Sequence, residues 1–236
     1  MHGNLLRIAA FAALLLPAGG ALALEPGRIP ESPRAWTFHL QFGGYYPSID
    51  DEPGLGSPGP FRQVFGSSDR LVTQAGIERY LFDAFGTLGL GVSAGYSEFY
   101  GKGFFAEGPD AGERSGDNTS MHVVPLQVFL AYRFDVLAQH WSVPLVPYGK
   151  VGAGAWLWWT GGENGQRGGF SYGGGVQLLL DVLDPHLARE FDRNVGVNNS
   201  YLFVDWAGWQ VDGFGDDDGF DLSDDAVLSF GLALDF

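Results

Sequence analysis

Cysteine is absent from all 236 residues. An exported domain with this composition must be held by burial or by strand pairing, not by disulfides. Long apolar runs are absent too. No stretch reaches the ~18 uncharged apolar residues of a membrane helix, which excludes a helical membrane protein. Basic residues are scarce, 13 against 28 acidic ones, for a net charge of −15. A nucleic-acid partner, which requires a basic face, is thereby excluded. The histidines stand at 2, 39, 122, 140 and 186, none at a ligand spacing such as H-x-x-x-H, so no imidazole metal site is expected. Glycine is abundant, at 37 residues, together with 15% aromatics. That mixture suits strands and turns better than helices.

The chain opens "MHGNLLRIAAFAALLLPAGGALA", with a basic start at Arg7, an apolar run to Leu16 and Ala21-Leu22-Ala23 as an A-x-A cleavage site. Residues 1–23 therefore read as a secretory signal peptide. Its loss leaves 12 basic against 28 acidic residues, a net charge of −16. Residues 24–34, "LEPGRIPESPR", read as an extended lead-in, and residues 35–236 as one domain.

Eight segments alternate. In a strand, successive side chains point to opposite faces, so alternation marks a sheet with two unlike sides. "AWTFHLQFGGYY" sets Trp36, Phe38, Leu40 and Phe42 against Thr37, His39 and Gln41. Leu71–Phe82, Leu88–Glu98, Ser120–Phe134, Val146–Thr160, Phe170–Val182 and Tyr201–Val211 follow the same rule, though Tyr201, Phe203 and Trp209 blur the last. The final stretch sets Leu228, Phe230, Leu232, Leu234 and Phe236 against Ser229, Gly231, Ala233 and Asp235. An even count of roughly ten-residue strands behind a signal peptide fits a transmembrane barrel.

The connections support that reading. With the N-terminus in the periplasm, Pro47–Arg70, Phe99–Thr119, Thr160–Gly168 and Asp212–Asp225 face outward, and they hold most of the acidic residues. Asp83–Thr87 is a tight turn and Asp135–Leu145 a mid-length link. The connection before the seventh strand, "LDPHLAREFDRNVG", carries a short helix signature: Asp184 as N-cap, Pro185 at the first helical position, Gly196 as the stop. Leu187 and Phe191, four apart, give it an apolar side. Pro125 and Pro147 fall inside strand segments, where each removes a ladder donor, so a bulge or strand end is expected at each.

A soluble sandwich also alternates, but its outer face carries Lys, Glu and Thr. Here the second face is largely Gly, Ser and Ala, which suits the crowded lumen of an eight-stranded barrel. Aromatics gather near strand ends (Tyr45, Tyr46, Tyr80, Phe82, Tyr132, Phe134, Trp156, Trp158, Trp159 and Phe236), as in interfacial girdles. The fold class is thus an all-β, eight-stranded antiparallel up-and-down barrel with a short helix before strand 7.

"SFGLALDF" resembles the C-terminal signal by which the bacterial barrel-assembly machinery recognises its substrates, with Phe230, Leu232, Leu234 and Phe236 as its apolar face. The mature chain resembles small eight-stranded outer-membrane proteins of the OmpA/OmpX/OmpW kind. "SYLFVDW", "DGFG" and "GFDLSDD" are similar to a myxobacterial group of such barrels. The resemblance implies outer-membrane lipid and lipopolysaccharide as surroundings, the assembly machinery as a partner in biogenesis, and a monomer. It brings no catalytic motif.

Three places could carry chemistry. Glu78, Arg133, Lys150, Asp181, Asp205 and Asp235 take the lumen parity, and an Arg or Lys facing lipid at mid-depth would cost about 2–4 kcal/mol. Each needs a partner inside, with Glu78–Lys150 and Asp205–Lys150 as candidate pairs. The network either packs the barrel or gates an ion path. The acidic loops, Asp216, Asp217, Asp218, Asp221, Asp224 and Asp225, with Asp50, Asp51 and Glu52, offer carboxylates for weak Ca²⁺ or Mg²⁺ binding, though no complete EF-hand loop is present. Ser120 and His122 share a strand face, and some eight-stranded barrels modify lipid A with a Ser/His pair. No resident cofactor is expected. The sequence reads as a non-enzymatic surface or structural barrel, with a narrow channel and a lipid-modifying enzyme as alternatives.

Overall fold

The computed structural model describes residues 34–51, 55–83, 85–104, 113–141, 143–216 and 219–236. The expected signal peptide, 1–23, and residues 24–33 of the lead-in lie outside the described residues. The strands are β1 (Trp36–Tyr45), β2 (Arg70–Asp83), β3 (Thr87–Phe104), β4 (Arg114–Arg133), β5 (Leu145–Trp159), β6 (Asn164–Leu179), β7 (Asn199–Gln210) and β8 (Asp224–Asp235). Each pairs antiparallel with the next, and β8 pairs with β1 to close the barrel. This is the small-barrel architecture expected from the alternation.

The alternation sorts the side chains by chemistry, and in the reverse of the usual sense. Phe38, Ile77, Val92, Val128, Val151, Val204 and Phe230 point outward and are exposed. Gln41, Gln74, Glu78, Gln127, Arg133 and Asp205 point inward and are buried. A protein made for water would bury the first set and expose the second.

Both strand termini and the short β2–β3 turn lie at one end of the barrel, the termini end. The opposite, loop end carries a 3-10 turn (Ser48–Asp51) and α1 (Pro60–Phe65) between β1 and β2. Asp50 accepts the Phe61 and Arg62 N–H groups at 2.8 and 2.7 Å, capping α1 from outside it. At the termini end, α2 (Val136–Trp141) fills what the sequence marked only as a mid-length link. Here α3 (Pro185–Val195) starts and stops as its signature predicts: Asp184 Oδ1 accepts the His186 N–H at 3.0 Å, and Gly196, at φ +77°, donates to Asp192 O at 3.0 Å.

Other boundaries differ from expectation. β6 begins at Asn164, so only Thr160–Glu163 separates it from β5. Bulges fall between Tyr80 and Phe82, Lys102 and Phe104, and Ala207 and Trp209, not at the prolines. Pro125 stays in register with Trp156, and the β3–β4 ladder merely skips the pairs opposite Gly95 and Tyr96. Pro147, the third residue of β5, lies just past the last β4–β5 pair, Tyr148–Arg133; its carbonyl accepts the Phe134 N–H at 2.8 Å, and it has no N–H to return.

Candidate functional site

The lumen is filled in three layers. Nearest the termini end, Arg133 is the hub. Its Nη2 donates to Glu78 Oε2 at 2.7 Å; its Nη1 donates to Thr37 Oγ1 at 2.9 Å and to the Tyr80 hydroxyl at 2.6 Å, with Asp235 Oδ1 at 3.4 Å. Thr37 donates onward to Asp235 at 2.7 Å. The guanidinium presents five donors in a fixed planar fork, enough for two carboxylates and two hydroxyls at once. Tyr201, Phe203, Val146 and Ala233 pack as an apolar cluster at this end.

In the middle layer, Lys150 from β5 pairs with Asp205 from β7, and Ser229 donates to the same carboxylate. Gln41 donates to Gln74 across the β1–β2 pair. The Glu78 carboxylate thus takes Arg133, while Lys150 serves Asp205. A cavity of about 50 Å³ remains among His39, Gln74, Glu78, Gln177 and Lys150. Gln74 Nε2, Glu78 Oε1 and Gln177 Oε1 have no protein partner, and a space this polar suits a few bound waters. Small residues on the lumen face make room for large neighbours. A methyl group on Gly89 would collide with the Glu78 carboxylate, and one on Gly91 with the Phe129 ring.

Toward the loop end, the third layer is apolar. Tyr45, Phe99, Trp156 and Trp209 interlock, with ring centroids 5.9 Å (Tyr45–Phe99), 5.1 Å (Tyr45–Trp209) and 5.6 Å (Trp156–Trp209) apart. Val72, Met121 and Val123 complete the plug, while Ile49, Phe61 and Leu222 cap it from the connections. Tyr45, Tyr80, Trp156 and Trp158 are therefore lumen residues, not girdle residues. They sit on the inward parity of their strands, and only their nearness to strand ends suggested an interface. Arg167 fastens the β7–β8 connection over the mouth, donating to Phe220 O at 3.0 Å, Asp216 O at 2.9 Å and Gly219 O at 3.1 Å. The Tyr45 hydroxyl adds a bond to Leu222 O at 2.8 Å.

The remaining candidates are dispersed. Asp181 lies beyond β6, half-buried, and accepts the Ser200 N–H at 3.1 Å; burial raises its pKa, which the Ser200 bond opposes. Its hydrogen bond goes to Ser200 and not into the luminal network, which acts on it through the charge of Asp235. Asp221 accepts the Ser223 N–H at 2.9 Å, and Asp224 those of Tyr46 and Ala226 at 2.8 and 2.9 Å. These carboxylates hold backbone in place and do not converge. Asp225 is exposed, Asp216 contributes its carbonyl to Arg167, and Asp217, Asp218 and Glu52 lie outside the described residues. Among the described residues, no three acidic or histidine side chains gather as a metal-ligand group. Ser120 and His122 stand on the outer wall, 3.1 Å apart through Oγ and Nε2.

Phe230, Leu232, Leu234 and Phe236 line the outer face of β8. Phe236 O accepts the Ala35 and Trp36 N–H groups at 2.6 and 3.0 Å, and its N–H donates to Trp36 O at 2.8 Å. The chain's last residue is thereby tied to the start of β1.

No family model matches the chain, and no curated protein sequence matches it. Among solved structures it is similar to Neisserial surface protein A (NspA), at 13% identity over 87% of this chain and 98% of that one, with a TM-score of 0.44. It is also similar to Ail, the attachment invasion locus protein of Yersinia pestis, solved with the heparin analogue sucrose octasulfate: 11% identity, 86% and 97% covered, TM-score 0.42. The Yersinia pestis outer membrane protein Ail in a phospholipid bilayer nanodisc matches at 11% identity, 86% and 99% covered, TM-score 0.38. The strand order and closure of this chain alone define it as a closed eight-stranded up-and-down barrel.

Proposed function

We propose that the protein is a monomeric, non-conducting barrel of the bacterial outer membrane, with its loop end outside the cell and a surface-interaction or structural role. The observation that carries this reading is the inverted sorting of side chains, an exposed apolar wall around a buried polar lumen. An exposed apolar surface of that extent needs lipid around it. The barrel-assembly machinery is the biogenesis partner we propose, with β8 as its address. Outer-membrane lipid and lipopolysaccharide are the surroundings we propose for the wall. Weak Ca²⁺ or Mg²⁺ association with exposed loop acids is the metal role we propose.

The aromatic plug argues for closure. An ion crossing it would have to leave water and pass between the packed rings of Tyr45, Phe99, Trp156 and Trp209, which are closed in by Val72, Met121 and Val123. The polar chamber beneath is therefore a dead end, and a narrow channel is the weaker reading. Membrane fractionation with heat-modifiable gel migration, followed by planar-bilayer recording, tests both parts. The protein should stay with the outer membrane, migrate differently when boiled, and show no current steps. Recovery in the soluble fraction would overturn the location, and reproducible conductance would overturn the closure.

A further inference from the structure

On the outer wall near the loop end, a group of polar side chains is joined by hydrogen bonds and a ring stack. β3 and β4 run in register with Glu98 opposite His122 and Tyr100 opposite Ser120. Ser120 Oγ lies 3.1 Å from His122 Nε2. On the other side of the ring, His122 Nδ1 is 2.8 Å from the Tyr96 hydroxyl and 3.5 Å from Glu98 Oε1. The Tyr96 hydroxyl donates to Glu98 Oε2 at 3.2 Å, which leaves its oxygen to accept from Nδ1–H. That chain sets the tautomer: Nδ1 carries the proton, and Nε2 offers a lone pair to the serine. Trp159 of β5 stacks on the imidazole, with centroids 5.0 Å apart and 16° between the planes. His122 and Glu98 remain 20% and 22% exposed, sheltered but reachable.

A hydroxyl, a base and a carboxylate joined in that order form the arrangement that activates a serine nucleophile. Its depth indicates the substrate. Going up the outer face of β4, Leu130, Val128, Leu126 and Val124 give way to His122, Ser120 and Asn118. On β3, Leu90, Val92 and Ala94 give way to Tyr96 and Glu98. The group therefore stands where the apolar wall turns polar, the level between acyl tails and headgroups where ester carbonyls of an outer-leaflet lipid lie. We propose that Ser120 and His122, positioned by Tyr96, Glu98 and Trp159, form a serine esterase site for an acyl ester of such a lipid. The proposal rests on the membrane-spanning reading above.

In the reaction, Ser120 Oγ bonds to the ester carbonyl carbon as its proton passes to His122 Nε2. The tetrahedral intermediate collapses, the carbon–oxygen bond to the lipid alcohol breaks, and the imidazolium returns the proton to that alcohol. Water then attacks the acyl-serine, with His122 again taking and returning the proton, and a fatty acid leaves. Asn118 and Lys102 form the next outward register pair toward the solvent. They bring an amide donor and a cation to the rim of the site, for the developing oxyanion or a lipid phosphate.

Glycerophospholipids and the ester-linked chains of lipopolysaccharide share this chemistry, so the test has two arms. The full refolded chain is incubated in mixed micelles with either diacyl phosphatidylethanolamine or lipopolysaccharide, and released fatty acid is measured by mass spectrometry. Release is expected in at least one arm, falling about 10²–10⁴-fold in Ser120→Ala and His122→Asn. Glu98→Gln should slow turnover and displace the acid limb of the rate–pH profile, with partial recovery in Glu98→Asp. A fluorophosphonate, which loses fluoride as Ser120 Oγ bonds its phosphorus, should label the native protein and not His122→Asn. Labelling that survives His122→Asn removes the base from the scheme. No release above Ser120→Ala in either arm overturns the proposal, provided heat-modifiable migration shows a folded, membrane-borne barrel; without that migration, the membrane reading fails first.

Discussion

Arg133 shows how a barrel this narrow tolerates charge. Its guanidinium has two carboxylates, a threonine and a tyrosine hydroxyl around it and lies 5.3 Å from the Tyr80 ring centroid. Replacing it with alanine would leave Glu78 and Asp235 buried without their cation, a loss of about 3–5 kcal/mol. A urea midpoint measured on reconstituted protein should fall accordingly, and a change below about 1 kcal/mol would show the network to be solvated rather than buried. Much of this was legible from parity, because the side of a strand is fixed by counting. Counting fails once the strand ends: Asp181 lies two positions past Leu179, where odd and even no longer mean in and out. Parity also placed Tyr45 and Trp156 inside, but the habit of assigning rim aromatics to interfaces outweighed it. Aromatic side chains serve equally well as a plug, and nothing in their chemistry separates the two uses.

At the scale of elements, the loop end is organised by a few directional bonds. The β7–β8 connection has four residues at positive φ among its described positions before Phe220, namely Gly213, Phe214, Gly215 and Gly219, so its path over the mouth depends on left-handed turns. Arg167 holds that path through three carbonyls. With charge-assisted bonds contributing about 1.5–3 kcal/mol each, Arg167→Ala should raise amide exchange at Leu222 at least tenfold while leaving the strands protected. Unchanged exchange would mean that the apolar contacts of Phe220 and Leu222 hold the loop alone. Sequence patterns reached α3 because its cap, proline and stop glycine are separate local signals that agree. They missed α2, six residues without such signals, and the loop-end thirds of β3 and β4, where "GKGFF" and "RSGDNT" do not alternate cleanly.

For the whole molecule, closure depends on joining residues nearly a full chain apart. Thr37 and Asp235 are separated by 198 positions and share a buried hydrogen bond, and Phe236 adds three backbone bonds to Ala35 and Trp36. Deleting Phe236 should lower the amount inserted in cells several-fold, because both the assembly address we propose and this tie are lost. The stability of barrels that do form should change by no more than about 2 kcal/mol, the scale of one partly buried aromatic side chain. Comparing membrane yield with the urea midpoint separates the two effects, and an unchanged yield would dismiss the address.

The β1–β8 ladder runs only from Thr37–Asp235 to Gly43–Ser229, the shortest of the eight. It is also the one that local chain contacts cannot nucleate, so its loop-closure entropy is met last. Until that moment the nascent protein is an open sheet with two raw edges and a sticky outer face, a template for joining its neighbours. The interval before its two ends meet is thus the stage at which this chain is most exposed to pairing with a neighbour instead of with itself.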